Sequence, residues 1–136
     1  MKTNHIILGL LFLALFTTGC QQMPYKVVQL EGTIKYDGQP LDNVILRFTP
    51  AEGRASSAHT TSDGSGHFKA KYAPGTMGVQ TGQLLVNVTP LSMQGGDVSA
   101  ASDLEKEVAK KYGYGQSGFP IEVKKASTNF VIDLPK

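Results

Sequence analysis

The chain has 136 residues, with 13 Lys and Arg against 11 Asp and Glu, three His, one Cys and no Trp. That length suits one domain, a net charge of +2 argues against a nucleic-acid partner held by a strongly basic surface, and one Cys excludes an internal disulfide or a Cys-rich metal centre. Fifteen Gly and seven Pro exceed average usage of about 12%, which favours a turn-rich all-β chain.

The elements begin with an apolar run, Ile6 to Phe16, behind the positive Lys2. It is too short for a spanning helix, which needs about 20 apolar residues, and matches the hydrophobic region of an export signal. The run ends in Thr17-Thr18-Gly19-Cys20. Small residues just before a lone Cys resemble the lipobox of bacterial lipoproteins. Thr17 departs from the Leu most common at its position. An ordinary secretory signal followed by an incidental free Cys is the plainer alternative.

The resemblance implies lipidation of the Cys20 sulfur, cleavage between Gly19 and Cys20, and acylation of the new amino terminus by a chain such as palmitate. Residues 1–19 are then a cleaved signal peptide. Stable anchoring takes at least two chains, which such a lipid supplies. The membrane partner is therefore reached through lipid. Gln21 stands where Asp often signals inner-membrane retention, so the resemblance points to the outer membrane more than the inner one. Residues 20–26 read as a lipidated tether stiffened by Pro24, and 27–136 as the folded domain.

From Val27 the period becomes two. Val28, Leu30, Gly32, Ile34 and Tyr36 share one face, and Gln29, Glu31, Thr33 and Lys35 the other. Asp37-Gly38-Gln39-Pro40 supplies turn chemistry. Val44, Leu46 and Phe48 then face inward with Arg47 outward, and a short strand is expected at Ala58–Ser62. Asp63-Gly64-Ser65-Gly66 predicts a hairpin whose return strand turns Phe68, Ala70 and Tyr72 to one face. Leu84, Val86 and Val88 mark a fifth strand. The β pattern then fails until Gly118. Ser102 and Glu105 fit a capping box, and Leu104, Val108 and Tyr112 form a helical stripe, so the spacing predicts a helix over 103–111 ended by Gly113. Phe119, Ile121 and Val123, then Phe130, Ile132 and Leu134, complete seven strands. Their spacing predicts a two-sheet β-sandwich with one short helix in a long loop.

Leu30-Glu31-Gly32-Thr33-Ile34, Tyr36-Asp37-Gly38-Gln39-Pro40-Leu41 and Val44-Ile45-Leu46-Arg47-Phe48 resemble the opening of transthyretin-like, or carboxypeptidase regulatory-like, domains. Thr61-Ser62-Asp63-Gly64-Ser65-Gly66-His67-Phe68 is similar to their T-D-x-D-G-x-F turn, with Ser62 inserted and Ser65 where a second acid is common. The stretch from Lys111-Tyr112 to Asp133-Leu134 is similar to small lipoproteins of this kind of the planctomycete type. The resemblance implies a seven-stranded, Greek-key-type (prealbumin-like) sandwich, and specifies fold better than activity.

His59 and His67 could flank the predicted hairpin, with Asp63 at its tip, as weak Zn or Cu ligands; the competing reading is two solvent-facing strand residues. Asp63-Gly64-Ser65-Gly66 carries one acid where a calcium loop needs several. A nucleophile with its base and orienting group is absent as a motif, and so is the Tyr-Arg-Gly-Ser motif of hydrolases with the transthyretin-like fold. Glu105 and Glu107 read as charges that solvate the helix. The pairs Lys110-Lys111 and Lys124-Lys125 read as ordinary surface charge, with contact to anionic lipid or polysaccharide as the alternative. The most unusual stretch is Lys110-Lys111-Tyr112-Gly113-Tyr114-Gly115-Gln116-Ser117-Gly118. Its Tyr rings on a Gly-rich backbone suit stacking against sugars or peptide groups, so Tyr112, Tyr114, Lys110 and Lys111 form the candidate contact surface. Tyr112 as a helical packing anchor and Tyr114 as a cap on the sandwich are the structural alternative.

The expectation is a lipid-anchored, non-enzymatic cell-envelope protein that binds or organises a protein, glycan or envelope polymer. No cofactor and no metal are expected, and the oligomeric state is open. The alternatives are self-assembly through edge strands and a small hydrolase or metal-dependent enzyme built on His59 and His67.

Overall fold

The computed structural model describes residues 25–52 and 56–136. The expected signal peptide, the Gly19–Cys20 junction and the first part of the tether therefore lie outside the described residues. Among those described, the strands in chain order are β1 (Val27–Val28), β2 (Leu30–Tyr36), β3 (Gln39–Pro40), β4 (Val44–Pro50), β5 (Ala58–Thr61) and β6 (His67–Lys69). They continue as β7 (Lys71–Ala73), β8 (Thr76–Met77), β9 (Val79–Gln80), β10 (Gly82–Pro90), β11 (Phe119–Val123) and β12 (Ser127–Leu134), with one α-helix, α1 (Asp103–Tyr112), between β10 and β11. A 3-10 turn, Leu91–Met93, follows β10 directly.

These strands build an all-β, sandwich-like molecule. One sheet has the order β11-β10-β4-β5-β7-β8. The other has the order β12-β2-β3, with β6 also paired to β2, and a two-stranded pair β1-β9 lies apart from both. Alternation explains how the layers meet. Along β4, Val44, Leu46 and Phe48 are buried while Ile45, Arg47 and Thr49 are partly exposed. Along β2, Leu30, Gly32, Ile34 and Tyr36 are buried between half-exposed neighbours. Inward side chains of both sheets, joined by Ile132, Leu134 and Val108, form one core. Phe48 from one layer meets Phe68 from the other with ring centroids 5.7 Å apart.

The strand count differs from the seven expected. Two expected strands are each divided, at Gln29 and at Ala70, and the two-residue segments β3, β8 and β9 carry too little alternation to be legible. The break at Ala70 has a topological reason. His67–Lys69 pairs with β2 in one sheet, whereas Lys71 pairs with His59 and Met77 in the other. One extended run thus changes layers, with its face pattern intact: Phe68 and Ala70 are buried. Sandwich corners are made by strands that switch sheets in this way.

The same geometry corrects the predicted hairpin. Asp63-Gly64-Ser65-Gly66 is a turn, but it passes the chain from β5 in one sheet to β6 in the other. The Asp63 carboxylate accepts from the Ser65 amide at 2.9 Å, the Ser65 hydroxyl at 2.7 Å and the His67 amide at 3.0 Å. Gly66 at φ 77° closes the corner, and its carbonyl accepts from the Ile34 amide at 2.9 Å.

The helix forms where the capping box places it. The Ser102 hydroxyl accepts from the Glu105 amide at 3.2 Å, and the Glu105 carboxylate accepts from the Ser102 amide at 2.6 Å. Val108 is fully buried, while Leu104 stays 47% exposed, so only part of the expected apolar stripe reaches the core. At the other end of the domain, Tyr25 and Lys26, read from sequence as tether, are already joined to it. The Tyr25 hydroxyl is hydrogen-bonded to Tyr72, which raises its pKa, and the Lys26 carbonyl accepts from the Thr81 amide at 2.8 Å.

Candidate functional site

The loop after α1 is positioned by one side chain of β10. The Asn87 amide nitrogen donates to the carbonyls of Tyr112 at 3.3 Å, Gly113 at 3.1 Å and Gln116 at 3.2 Å. These include carbonyls at the helix end that no further turn can satisfy. Asn87 stands on the outer face of the six-stranded sheet, directly opposite Arg47 in register. Pinning the loop there carries Tyr114 across that face. The Arg47 guanidinium carbon lies 5.0 Å from the Tyr114 ring centroid, a cation–π distance, and Tyr114 remains 76% exposed.

The four residues of the expected contact surface therefore separate. Tyr112 serves packing: its ring meets Tyr36 and Phe119 edge-on, at centroid distances of 6.5 and 6.2 Å, and its hydroxyl donates to the Pro135 carbonyl at 2.7 Å. Tyr114 is the exposed ring. Lys110 and Lys111 are exposed in the last turn of α1, where cations oppose the negative end of the helix dipole.

The two histidines do not share a site. His59 is exposed on β5 of the six-stranded sheet, between Arg47 and Lys71 in register. His67 lies on β6 of the other sheet, with Nε2 3.1 Å from a Glu31 carboxylate oxygen and Nδ1 3.9 Å from Asp63. Their expected position on paired strands is corrected by the layer change between β5 and β6. Among the described residues no group of three or more His, Cys, Asp or Glu converges on a point that could hold a metal ion.

The helix carboxylates are also more engaged than solvating charges would be. Glu105 closes the capping box and accepts from the Ser92 hydroxyl at 2.8 Å; these hydrogen bonds hold its pKa below the usual carboxylate range. Glu107 accepts from the Tyr36 hydroxyl at 2.6 Å. That bond, then desolvation, pushes the Tyr36 pKa up to about 12. Asp63 is shifted the opposite way, held low first by the Ser65 hydroxyl and then by backbone amides.

The outer sheet face was not anticipated as a site. Asn87, Arg47, His59 and Lys71 come from four separate strands. Arg47 was legible as outward-facing, but the register that sets it beside His59 and Lys71 is a long-range property. Beside this row a shallow groove of about 430 Å³ is bordered by Ile45, His59, Thr61, Lys71, Leu91 and Gln94.

Compared with protein-family models, with curated proteins and with solved structures, the chain matches none. Among the described residues no helix is long and apolar enough to cross a membrane.

Proposed function

We propose that this chain is a lipid-anchored, non-enzymatic binding module of the cell envelope, of the transthyretin-like class, held at the outer membrane through Cys20. The observation that carries the reading is the presentation of Tyr114. A highly exposed aromatic ring is laid over Arg47 by a loop that Asn87 fastens at three carbonyls. Ordering contact groups before a partner arrives lowers the entropic cost of binding, and a rigid ring supplies contact area with few rotatable bonds. The lipobox residues Thr17-Thr18-Gly19-Cys20 supply the anchor, and lipid places the face close to envelope polymers.

Two measurements test the two halves of this reading. The intact mass of protein purified from membranes is expected to begin at Cys20 and to carry added acyl mass; an unacylated Cys20 overturns the anchor. Full-length protein in detergent micelles is expected to co-sediment with washed envelope fragments, and Tyr114→Ala is expected to release most of it. Equal sedimentation by the variant overturns the contact face.

Self-assembly is a second reading, favoured by one feature. β12 ends its sheet, and its Val131 is 58% exposed; an unpaired edge with apolar side chains is a template for another strand. Sedimentation velocity over a wide concentration range decides it. A constant monomeric mass removes this reading, and a rising mass abolished by Val131→Lys supports it.

A further inference from the structure

The six-stranded sheet turns one basic row to solvent. Arg47 on β4 is directly opposite His59 on β5, and His59 is directly opposite Lys71 on β7. Adjacent strands lie about 4.8 Å apart, so the three side chains project from a band of sheet roughly 10 Å wide. None of the three takes part in an ion pair among the described residues, where the ion pairs join other groups, namely His67 with Glu31 and Asp63, Lys69 with Glu31, Lys106 with Asp103, and Lys124 with Glu122. Glu105 and Glu107 are bonded to Ser102, Ser92 and Tyr36 at the helix. Arg47 and Lys71 thus stand on one face with His59 between them, while the engaged acids belong to the helix, to the opposite layer and its corner turn, and to β11 of the same sheet, where Glu122 is held by Lys124 two strands away from β4.

Two further features bracket the row. Tyr114 lies at its Arg47 end, exposed and held over the guanidinium. The groove beside Ile45, Thr61, Leu91 and Gln94 runs along its His59 and Lys71 end. A guanidinium held over a ring keeps N–H donors for a planar carboxylate, and Lys71 supplies a mobile point charge. Thr61 and Gln94 add neutral hydrogen-bonding groups suited to hydroxyls.

We propose that this face binds an acidic polysaccharide, a carboxylate-bearing glycan chain lying across the strands from Tyr114 to the groove. The proposal rests on the binding-module reading above and adds the ligand's chemistry. The carboxylates pair with Arg47 and Lys71, with His59 between them, and the apolar C–H face of a sugar ring stacks on Tyr114. A sheet face fits this occupant better than an extended acidic peptide, which gains its main-chain hydrogen bonds at a sheet edge. A single-stranded nucleic acid would use a run of aromatic platforms, whereas this face offers one.

The test is a calorimetric titration of the full-length protein in detergent micelles with oligogalacturonate at low ionic strength. Neutral dextran, poly-glutamate and single-stranded oligonucleotide serve as comparison probes. Oligogalacturonate is expected to bind more tightly than all three, and to weaken as salt is raised. Arg47→Gln and Lys71→Gln are each expected to weaken it by about tenfold, the effect of losing one charge-assisted hydrogen bond. Tyr114→Ala is expected to weaken it severalfold, and Lys124→Gln, on another strand end, to leave it unchanged. Thermal unfolding of each variant verifies the fold. Absence of oligogalacturonate binding, or equal binding by the Arg47→Gln, Lys71→Gln double variant, overturns the proposal. Tighter binding of poly-glutamate or oligonucleotide overturns it in favour of that polymer. If envelope co-sedimentation still depends on Tyr114 while oligogalacturonate fails, the ligand class is wrong and the binding module stands; if both fail, both fall.

Discussion

Ser62, expected as the last residue of a short strand, lies just beyond β5 and serves as a hydrogen-bonding post. It is almost fully buried, and its hydroxyl donates to the Leu41 carbonyl at 2.8 Å while accepting from the Val44 amide at 3.1 Å. Ser62→Ala leaves both backbone groups buried without that partner, so a loss of about 1–3 kcal/mol is expected, read as a lower urea midpoint. Gly32 is constrained by approach rather than by turn geometry: a side chain there would overlap the Phe130 carbonyl of β12. Gly32→Ala is expected to cost about 1–3 kcal/mol through overpacking, checked by the same denaturation curve. Tyr36 sets an alkaline limit. Its native pKa is raised to about 12, so the native state holds the phenolic proton more tightly than the unfolded chain does. That contribution is complete below about pH 10, the ordinary tyrosine value, and is lost as pH rises towards 12. Urea midpoints measured across this range are expected to fall less steeply for Tyr36→Phe than for the native sequence. An unchanged slope would show that the Tyr36–Glu107 bond does not couple to folding.

At the scale of elements, the helix and its following loop form a unit with two fastenings. Ser102 and Glu105 hold the start, and Asn87 holds the end. Ser102→Ala is expected to lower the helix's local stability by about 0.5–2 kcal/mol, seen as faster hydrogen exchange of the α1 amides with little change in β10. Asn87→Ala acts further away. It frees the carbonyls of Tyr112, Gly113 and Gln116, so Tyr114 loses its fixed place over Arg47. Faster exchange across 113–118 together with weaker envelope co-sedimentation is the expected pair of results. Faster exchange with undiminished sedimentation would separate loop order from binding. The capping box was legible because its chemistry is local, three residues apart in sequence. Asn87 was not, since it sits 25 residues before the first carbonyl it holds.

For the whole molecule, the near-neutral charge of +2 describes a sum rather than a surface. Acids are spent on His67, Lys69, Lys106 and Lys124, and the remaining cations include the row on the six-stranded sheet. Net charge alone therefore argues against a broadly basic protein and says nothing of a local basic face. The all-β class and the inward residues of β2, β4 and β10 were determined by the sequence, because a period of two and its punctuation are written within a few neighbouring residues. The capping of α1 was determined in the same local way. Tertiary structure alone decided that one extended run divides between two layers at Ala70, that His59 and His67 belong to different sheets, and that Tyr112 is packed while Tyr114 is open. Each depends on which distant strands pair and in what register, and pairing follows from burial of the whole core rather than from any segment's own pattern.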